Sequence, residues 1–327
     1  MKPLLSVRNL VLHFDTYYGT VKALEGVSFD VQKEEVFGLV GETGCGKTVT
    51  SLTVIKLLPE NAMIADGEVV FKGESLLDKS ENEMRDIRGK EISMIFQDPS
   101  TSLNPIFKIK DQLVRVILTH QKISKQEAYK KGVDLLKSVG LPDPERLMNF
   151  YPFELSGGMQ QRIMIAIAVS SNPDLLIADE PTSNLDVTIQ AQILDLLKKC
   201  REETKASVLF ITHDFGIVTE MCDRVGVMYA GNMAEIAPLR ELLTNPLHPY
   251  TKALLLSIPT PSKRGKKLHV INGMVPDLLK PPTGCRFHPR CPHTMDICKT
   301  KPPPVTKVGK DHLVSCYLME NGDTKFE

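Results

Sequence analysis

Gly41-Glu42-Thr43-Gly44-Cys45-Gly46-Lys47-Thr48 fits the pattern G-x-x-x-x-G-K-[ST] with no mismatch. Val36–Val40 before it is short, apolar and β-prone. The run from Thr48 to Leu58 after it reads as a helix with one apolar face. Strand, loop and helix in that order suit a loop that wraps a phosphate. Glycines let successive backbone N–H groups converge on one anion. The following helix adds the positive end of its dipole. Lys47 can reach β- and γ-phosphates, and the Thr48 hydroxyl can reach Mg²⁺. A chance glycine-rich turn before Lys-Thr would not carry this flanking pattern.

The chain has 327 residues, enough for one large domain plus an extension, or for two domains. Lys plus Arg and Asp plus Glu both number 40, so no global field favours nucleic acid or a membrane surface. No apolar run approaches the roughly 18 residues of a membrane helix. The N-terminus lacks a signal-peptide apolar core. The expectation is a cytosolic protein that can dock on a membrane protein. Of seven cysteines, Cys45, Cys200 and Cys222 are scattered, while Cys285, Cys291, Cys298 and Cys316 crowd the C-terminal end. In a reducing compartment that crowding suggests metal before disulfide.

Leu4 to Phe14 and Val27 to Val31 read as strands, with the aromatic turn Tyr17-Tyr18-Gly19-Thr20 between them. An exposed aromatic near a nucleotide site can stack on a base. Gly67–Phe71 and Glu91–Phe96 are further strands, the second leading to Gln97, a neutral side chain able to reach Mg²⁺ and an attacking water. From about Ser100 to Pro152 the period becomes helical, with helices expected over Ile109–His120 and Lys125–Val139. This looks like a helical insertion in a nucleotide-binding core. It ends at Leu155-Ser156-Gly157-Gly158-Met159-Gln160-Gln161-Arg162, where Ser156 is suited to cap a helix from about Met159 to Ser171. The two glycines leave amides bare, a second anion-binding helix start far in sequence from the first. Leu175–Ala178 is a buried-strand run ending in Asp179-Glu180. An acid there can hold the water shell of Mg²⁺. The next acid can polarise water for attack on a γ-phosphate. Thr182–Asp186 opens another helix, and Ser207–Thr212 is a strand delivering His213.

Taken together, in this order, these blocks resemble the ATP-hydrolysing subunit of ABC transporters. The resemblance spans about residues 4 to 250. It implies an α/β fold: an ABC-type P-loop ATPase core (RecA-like) with a β subdomain and an inserted helical subdomain, plus a Cys-rich C-terminal extension. The implied boundaries are 1–255 for the nucleotide-binding domain, with the helical part at about 98–170, and 256–327 for the extension. By position, Tyr18 stacks on adenine. Gly41, Glu42, Thr43, Gly44, Cys45, Gly46, Lys47, Thr48 and Val49 hold the phosphates, and Thr48, Gln97 and Asp179 serve Mg²⁺. Glu180 is the catalytic carboxylate and His213 the γ-phosphate contact. The resemblance pairs two such domains head to tail, so that Ser156, Gly157, Gly158 and Gln160 of one close on the ATP of the other, with Asp186 in the loop crossing the interface.

Finer matches narrow the resemblance to dipeptide and oligopeptide importers: Phe96–Pro105, Asn245–Thr251, Gly273–Leu278 and Pro281–Pro292. Two departures, Gln160-Gln161-Arg162 where Arg-Gln-Arg is commoner and Asn184 for a usual Ala, remove no catalytic group. The implied partners are a second ATPase subunit, identical or a paralogue, and transmembrane permease subunits on whose cytoplasmic face the chain sits; nucleic acid is not among them. Related nickel or sugar importers share similar ATPases. A soluble ABC ATPase of DNA repair or translation would carry a long coiled coil or two cassettes, and a purely redox module would not need complete ATPase motifs.

The C-terminal spacing is C-x5-C-x6-C-x17-C. Four thiolates can close an iron–sulfur cluster or a tetrahedral zinc site, although the tight C-x2-C pairs of a zinc ribbon are absent. The resemblance selects a 4Fe–4S cluster, with zinc as the alternative. His288 and His293 read as bystanders, and Lys263, Arg264, Lys266 and Lys267 as a solvated linker. Lying about seventy residues past His213, the cysteines are expected to serve structure or docking rather than catalysis.

Overall fold

The structure is a computed structural model that describes residues 2–259, 265 and 269–320. The basic run at 263–267, expected to be a linker, lies outside the described residues except for position 265. The chain divides into two compact units. The described residues of the first fall within Met1–Gln32, Val36–Leu77 and Thr212–Glu327; the second comprises Lys33–Glu35 and Asp78–Ile211.

The first pass through unit one builds β1 (Leu5–Thr16), β2 (Gly19–Val31), β3 (Val36–Val40), α1 (Lys47–Val54), β4 (Ala62–Phe71) and β5 (Glu74–Ser75). β2, β1, β4 and β5 form an antiparallel sheet in that order. Alternation at Leu5 and Val7, then Leu10 and Leu12, buries one face of β1. The phase change between them is a register shift at Asn9, whose φ is +46°. β2 is longer than the expected strand because the hairpin zips up to the Thr16–Gly19 pair. The expected helix over Thr48–Leu58 stops at Val54. Lys56 turns left-handed (φ +48°), and the Leu57 N–H bonds the Leu52 carbonyl across the end.

Unit two contains α2 (Glu81–Ile87), β6 (Ile92–Ile95), α3 (Pro99–Ser102), α4 (Ile109–His120), α5 (Lys125–Ser138), α6 (Pro144–Leu147), α7 (Gly157–Val169), β7 (Leu175–Asp179), α8 (Val187–Thr204) and β8 (Ser207–Thr212), whose last residue belongs to unit one. β6, β7 and β8 are parallel neighbours in that order, and every residue of the three is buried. That is why they read as unbroken apolar runs. α2 and α5 each begin at a full capping box, Ser80–Glu83 and Ser124–Glu127.

Returning to unit one, the chain forms α9 (Phe215–Met221), β9 (Arg224–Tyr229), β10 (Asn232–Pro238), α10 (Leu239–Thr244), α11 (Pro249–Ser257), α12 (Asp296–Thr300), β11 (Val305–Gly309) and β12 (His312–Ser315). β9 runs parallel to β3 and antiparallel to β10. The cysteine-rich stretch, expected as an extension, does not stand apart. β12 pairs with β10 through Glu235↔Val314 and Ile236↔Leu313, and β11 pairs with β12. The fully buried Glu235 carboxylate fixes this edge. It accepts from the Leu247 and His248 N–H groups and lies 2.8 Å from His312 Nε2. A buried carboxylate with three partners meets the condition for keeping a charge inside a protein.

Candidate functional site

In unit one, β3 is buried along its whole length and hands the chain to the Gly41–Thr48 loop. Gly41 (φ +155°) and Gly46 (φ +105°) need glycine for space as well as torsion. A Cβ at Gly41 would strike the Met228 carbonyl, and one at Gly46 would lie 2.5 Å from Leu24 Cδ2. Gly46 caps α1 with no side-chain hydrogen bond. Thr43, Gly44 and Thr48 face solvent, whereas Cys45 is buried, with its thiol pKa raised by that burial. Val49 is half-buried on the first turn. The buried Lys47 ammonium donates to the Gly41 carbonyl at 2.8 Å and to the Glu42 carbonyl at 3.2 Å. Tyr18 sits at the β1–β2 turn, 84% exposed, edge-on to Tyr17 at 5.5 Å. His213 is exposed, just before Asp214, whose carboxylate accepts from the Gly216 N–H at the start of α9.

In unit two, Asp179 is buried at the end of β7. Glu180 follows with φ +44°, a conformation uncommon for a non-glycine residue. Its N–H bonds the Ile211 carbonyl, and its own carbonyl accepts from Ser183. Strain of this kind persists where surroundings over-determine it, often at sites of function. Gln97 Nε2 donates to Glu180 Oε2 at 3.2 Å, so two residues 83 positions apart are brought into one hydrogen bond. Ser156 caps α7, accepting from the Met159 N–H at 3.4 Å, and Ser156 and Gly157 are exposed. Beside them Gly158 is half-buried. The Gln160 amide turns back to the Pro152 and Leu155 carbonyls at 2.8 and 3.2 Å, bracing the turn before the helix. Asp186 caps α8 through the Ile189 N–H at 3.0 Å, with Val187 beside it 82% exposed.

The four C-terminal cysteines line one small cavity of about 20 Å³, together with His288 and His293. Burial pushes the Cys285 thiol up to about 11 and that of Cys316 up to about 12, and Cys316 also feels the other three cysteines. Among the described residues no three His, Cys, Asp or Glu side chains are grouped to hold a metal ion.

Sequence distance misleads in one respect. Arg290, next to Cys291, grips Glu42 of the Gly41–Thr48 loop. Nη1 lies 2.7 Å from Oε2 and Nη2 3.1 Å from Oε1. Burial opposes the Arg290 charge, but its bonds to Glu42 and Tyr229 outweigh this and hold its pKa above the usual value. The Glu42 N–H donates to the hydroxyl of fully buried Tyr250 at 3.0 Å. No local signal in the sequence marks either contact.

The Dipeptide transport ATP-binding protein DppD of Bacillus subtilis (strain 168) is 50% identical over 321 residues, 98% of this chain and 96% of that protein. The chain belongs to the ABC transporter family. Within that family, residues 24–183 match the description "ABC transporter" and residues 234–298 match "Oligopeptide/dipeptide transporter, C-terminal region". The Oligopeptide transport ATP-binding protein OppD of Salmonella typhimurium (strain LT2) is 44% identical over 300 residues, 92% of this chain and 89% of its own. Among solved structures, the dimeric post-hydrolysis state of the ATP-binding cassette MJ0796 bound to ADP and Pi aligns with a TM-score of 0.65 and 27% identity, covering 72% of this chain and 99% of the cassette. The fold is thus the α/β fold of an ABC ATPase, and the chain is an ATPase of that family. No helix among the described residues is long and apolar enough to cross a membrane.

Proposed function

We propose that this chain is the ATP-hydrolysing subunit that powers an importer of di- or oligopeptides. The glycine loop between β3 and α1 carries the reading. Its left-handed glycines and buried lysine suit the β- and γ-phosphates of a nucleotide. Residues 1–255 are read as the nucleotide-binding domain, with the helical part at about 98–170, and 256–327 as a cysteine-rich region.

The roles follow from side-chain chemistry. Amides from Gly41 to Val49 take phosphate oxygens, and Tyr18 offers an exposed ring to adenine. Lys47 trades its two loop carbonyls for the γ-phosphate, where it offsets developing charge. Thr48, Gln97 and Asp179 are hard oxygen donors of the kind Mg²⁺ takes. That ion supplies positive charge beside the transferred phosphate. With the Gln97 amide nitrogen on Glu180, its carbonyl oxygen is the atom left for the cation. Glu180, oriented by Gln97, polarises the attacking water, and His213 holds the γ-phosphate. Ser156, Gly157, Gly158 and Gln160 of a second subunit close over the same nucleotide, with Asp186 in the loop between subunits. The exposed Ile106, Phe107 and Leu118 of the helical region support its docking on a permease at the cytoplasmic face of the membrane. Peptide-dependent ATP turnover in membranes co-expressing this chain with its permease tests the whole reading; turnover indifferent to peptide would remove the transport assignment.

The four C-terminal cysteines are read as ligands of a 4Fe–4S cluster. Support comes from their sharing one cavity, whose four thiols suit an iron–sulfur cluster or, as the alternative, zinc. Such a cluster would supply a crosslink among the loops that carry the four cysteines. Anaerobically purified protein should carry roughly four irons per chain and absorb broadly in the visible. One zinc and no iron would substitute a zinc site. Neither metal, with the region still resistant to protease, would end both readings.

A further inference from the structure

We propose that Arg290 is a positioning residue for nucleotide binding: its bidentate pair with Glu42 holds the phosphate-binding loop in register. The proposal rests on reading Gly41–Thr48 as that loop.

Arg290 is built into its place. Its side chain is 6% exposed, and it spends every donor direction on fixed partners. Besides Glu42, Nε donates to the Asn272 carbonyl at 3.1 Å, Nη2 to the Ile271 carbonyl at 3.3 Å and Nη1 to the Tyr229 hydroxyl at 3.3 Å. A planar guanidinium held this way fixes both oxygens of a carboxylate, which a lysine cannot do. The partner is the second residue of the glycine loop, and its backbone is held as well, through the Tyr250 hydroxyl.

A second arginine supports the turn that bonds the far end of the same loop. Arg286 Nη1 donates to the Ala230 carbonyl and to the Lys22 carbonyl. The next residue, Gly231, donates its N–H to the Cys45 carbonyl at 2.9 Å. The two arginines thus act at opposite ends of the stretch from Glu42 to Cys45, one directly and one through the β9–β10 turn. A loop with three glycines at positive φ has many conformations to lose when it closes on a phosphate. Fixing Glu42 beforehand lowers that loss, which appears as tighter nucleotide binding.

Arg286 follows Cys285 directly and Arg290 directly precedes Cys291. A structural role for the cysteine-rich region, as expected from its sequence, would on this reading reach the nucleotide through the brace.

The test uses the full-length chain with Arg290→Met, Glu42→Gln, the double variant and Arg290→Lys. Each is titrated with MgATP, assayed for KM and kcat, and timed for maleimide labelling of buried Cys45 by peptide mass spectrometry. Arg290→Met should raise Kd and KM about tenfold, the scale of one charged hydrogen bond, with kcat falling less than KM rises. It should also speed Cys45 labelling. Glu42→Gln should do the same, the double variant should be no worse than the poorer single one, and Arg290→Lys should recover part of the loss. A folded Arg290→Met chain with Kd and Cys45 labelling unchanged, or losses that add in the double variant, overturns the proposal. Should Arg290→Met fail to fold, Glu42→Gln leaves every tail side chain in place and decides the question alone. Lys47→Ala separates the levels. If it loses MgATP while Arg290→Met does not, only the brace is wrong; if it too binds normally, the phosphate-loop reading falls.

Discussion

Two helices in this molecule begin with glycines and bare amides, and they are built in opposite ways. The start of α1 is enclosed. Lys47 is buried against two loop carbonyls, Glu42 is gripped by Arg290, and Tyr250 holds its N–H. The start of α7 is open. Ser156 and Gly157 are exposed, and the side-chain bond from the cap to the Met159 N–H is long, at 3.4 Å. An enclosed start is organised by its own chain before any ligand arrives. An open one, capped and braced only by Gln160 of its own helix among the described residues, is suited to a ligand brought by another surface. The contrast fits the proposed head-to-tail pairing, in which the enclosed start of one chain would meet the open start of another.

The sharpest way to break that comparison is to stop the chemistry while leaving both starts intact. Glu180→Gln should lower ATP turnover by about 10²- to 10⁴-fold, the range for losing a positioned base, while MgATP still binds. Dimers should then accumulate with ATP and be visible by elution volume, since hydrolysis no longer separates the two starts. Near-normal turnover would remove Glu180 from its role.

A smaller effect is expected from dividing the halves between chains. Lys47→Ala should disable the enclosed half and Ser156→Arg the open one, each alone nearly inactive. Mixed, they should regain about half of the intact sites in each heterodimer, with turnover rising accordingly. Full activity in either variant alone, or no recovery in a mixture shown to contain heterodimers, would mean that both starts serve one chain.

Much of this was legible in the sequence, and the reason lies in short-range patterning. β7 and β8 declare themselves as apolar runs ending in polar residues, α4 and α5 as helical periods, and the glycine loop as a fixed spacing. What was not legible depends on long-range pairing. Nothing near Arg290 announces a partner 248 positions away, and nothing near Gln97 announces Glu180. β11 and β12 are short and polar in part, so their merger with β10 could not be read from alternation alone. The left-handed Glu180 is likewise set by the Ile211 carbonyl rather than by any local preference of glutamate.

Acid should separate the two starts by stability. His248 caps α11, the helix that carries Tyr250, and its Nδ1 accepts the Tyr250 N–H at 3.0 Å. Burial lowers its pKa from 6.5 to about 4, against the pull of Glu235. As pH falls below 6.5 the unfolded chain takes up this proton and the folded chain does not. The stabilisation is therefore full above pH 6.5 and lost as pH falls to 4, about 3 kcal/mol in all. Denaturant unfolding at pH 7, 5.5 and 4 should show a steeper fall for the parent than for His248→Asn. Hydrogen exchange should quicken at residues 41–48 before residues 156–160. Parallel slopes in parent and variant would show that His248 carries no such linkage.

The smallest effect asks what Ser156 is for. A serine cap is worth about 0.5–2 kcal/mol, and at 3.4 Å its bond to Met159 belongs at the low end. Asp186 makes the same kind of cap on α8 at 3.0 Å, so unit two contains a tighter example for comparison. Ser156→Ala should therefore cost about 0.5 kcal/mol of stability. If the hydroxyl instead turns to a phosphate oxygen in the closed dimer, the same change should lower turnover about tenfold, the scale of a hydrogen bond to a charged group. Unfolding and ATPase assays on one preparation give both numbers. Turnover loss larger than the stability loss marks Ser156 as a residue that reads an anion. The reverse order would make it an ordinary helix cap, and the open start of α7 would then be open for no chemical reason.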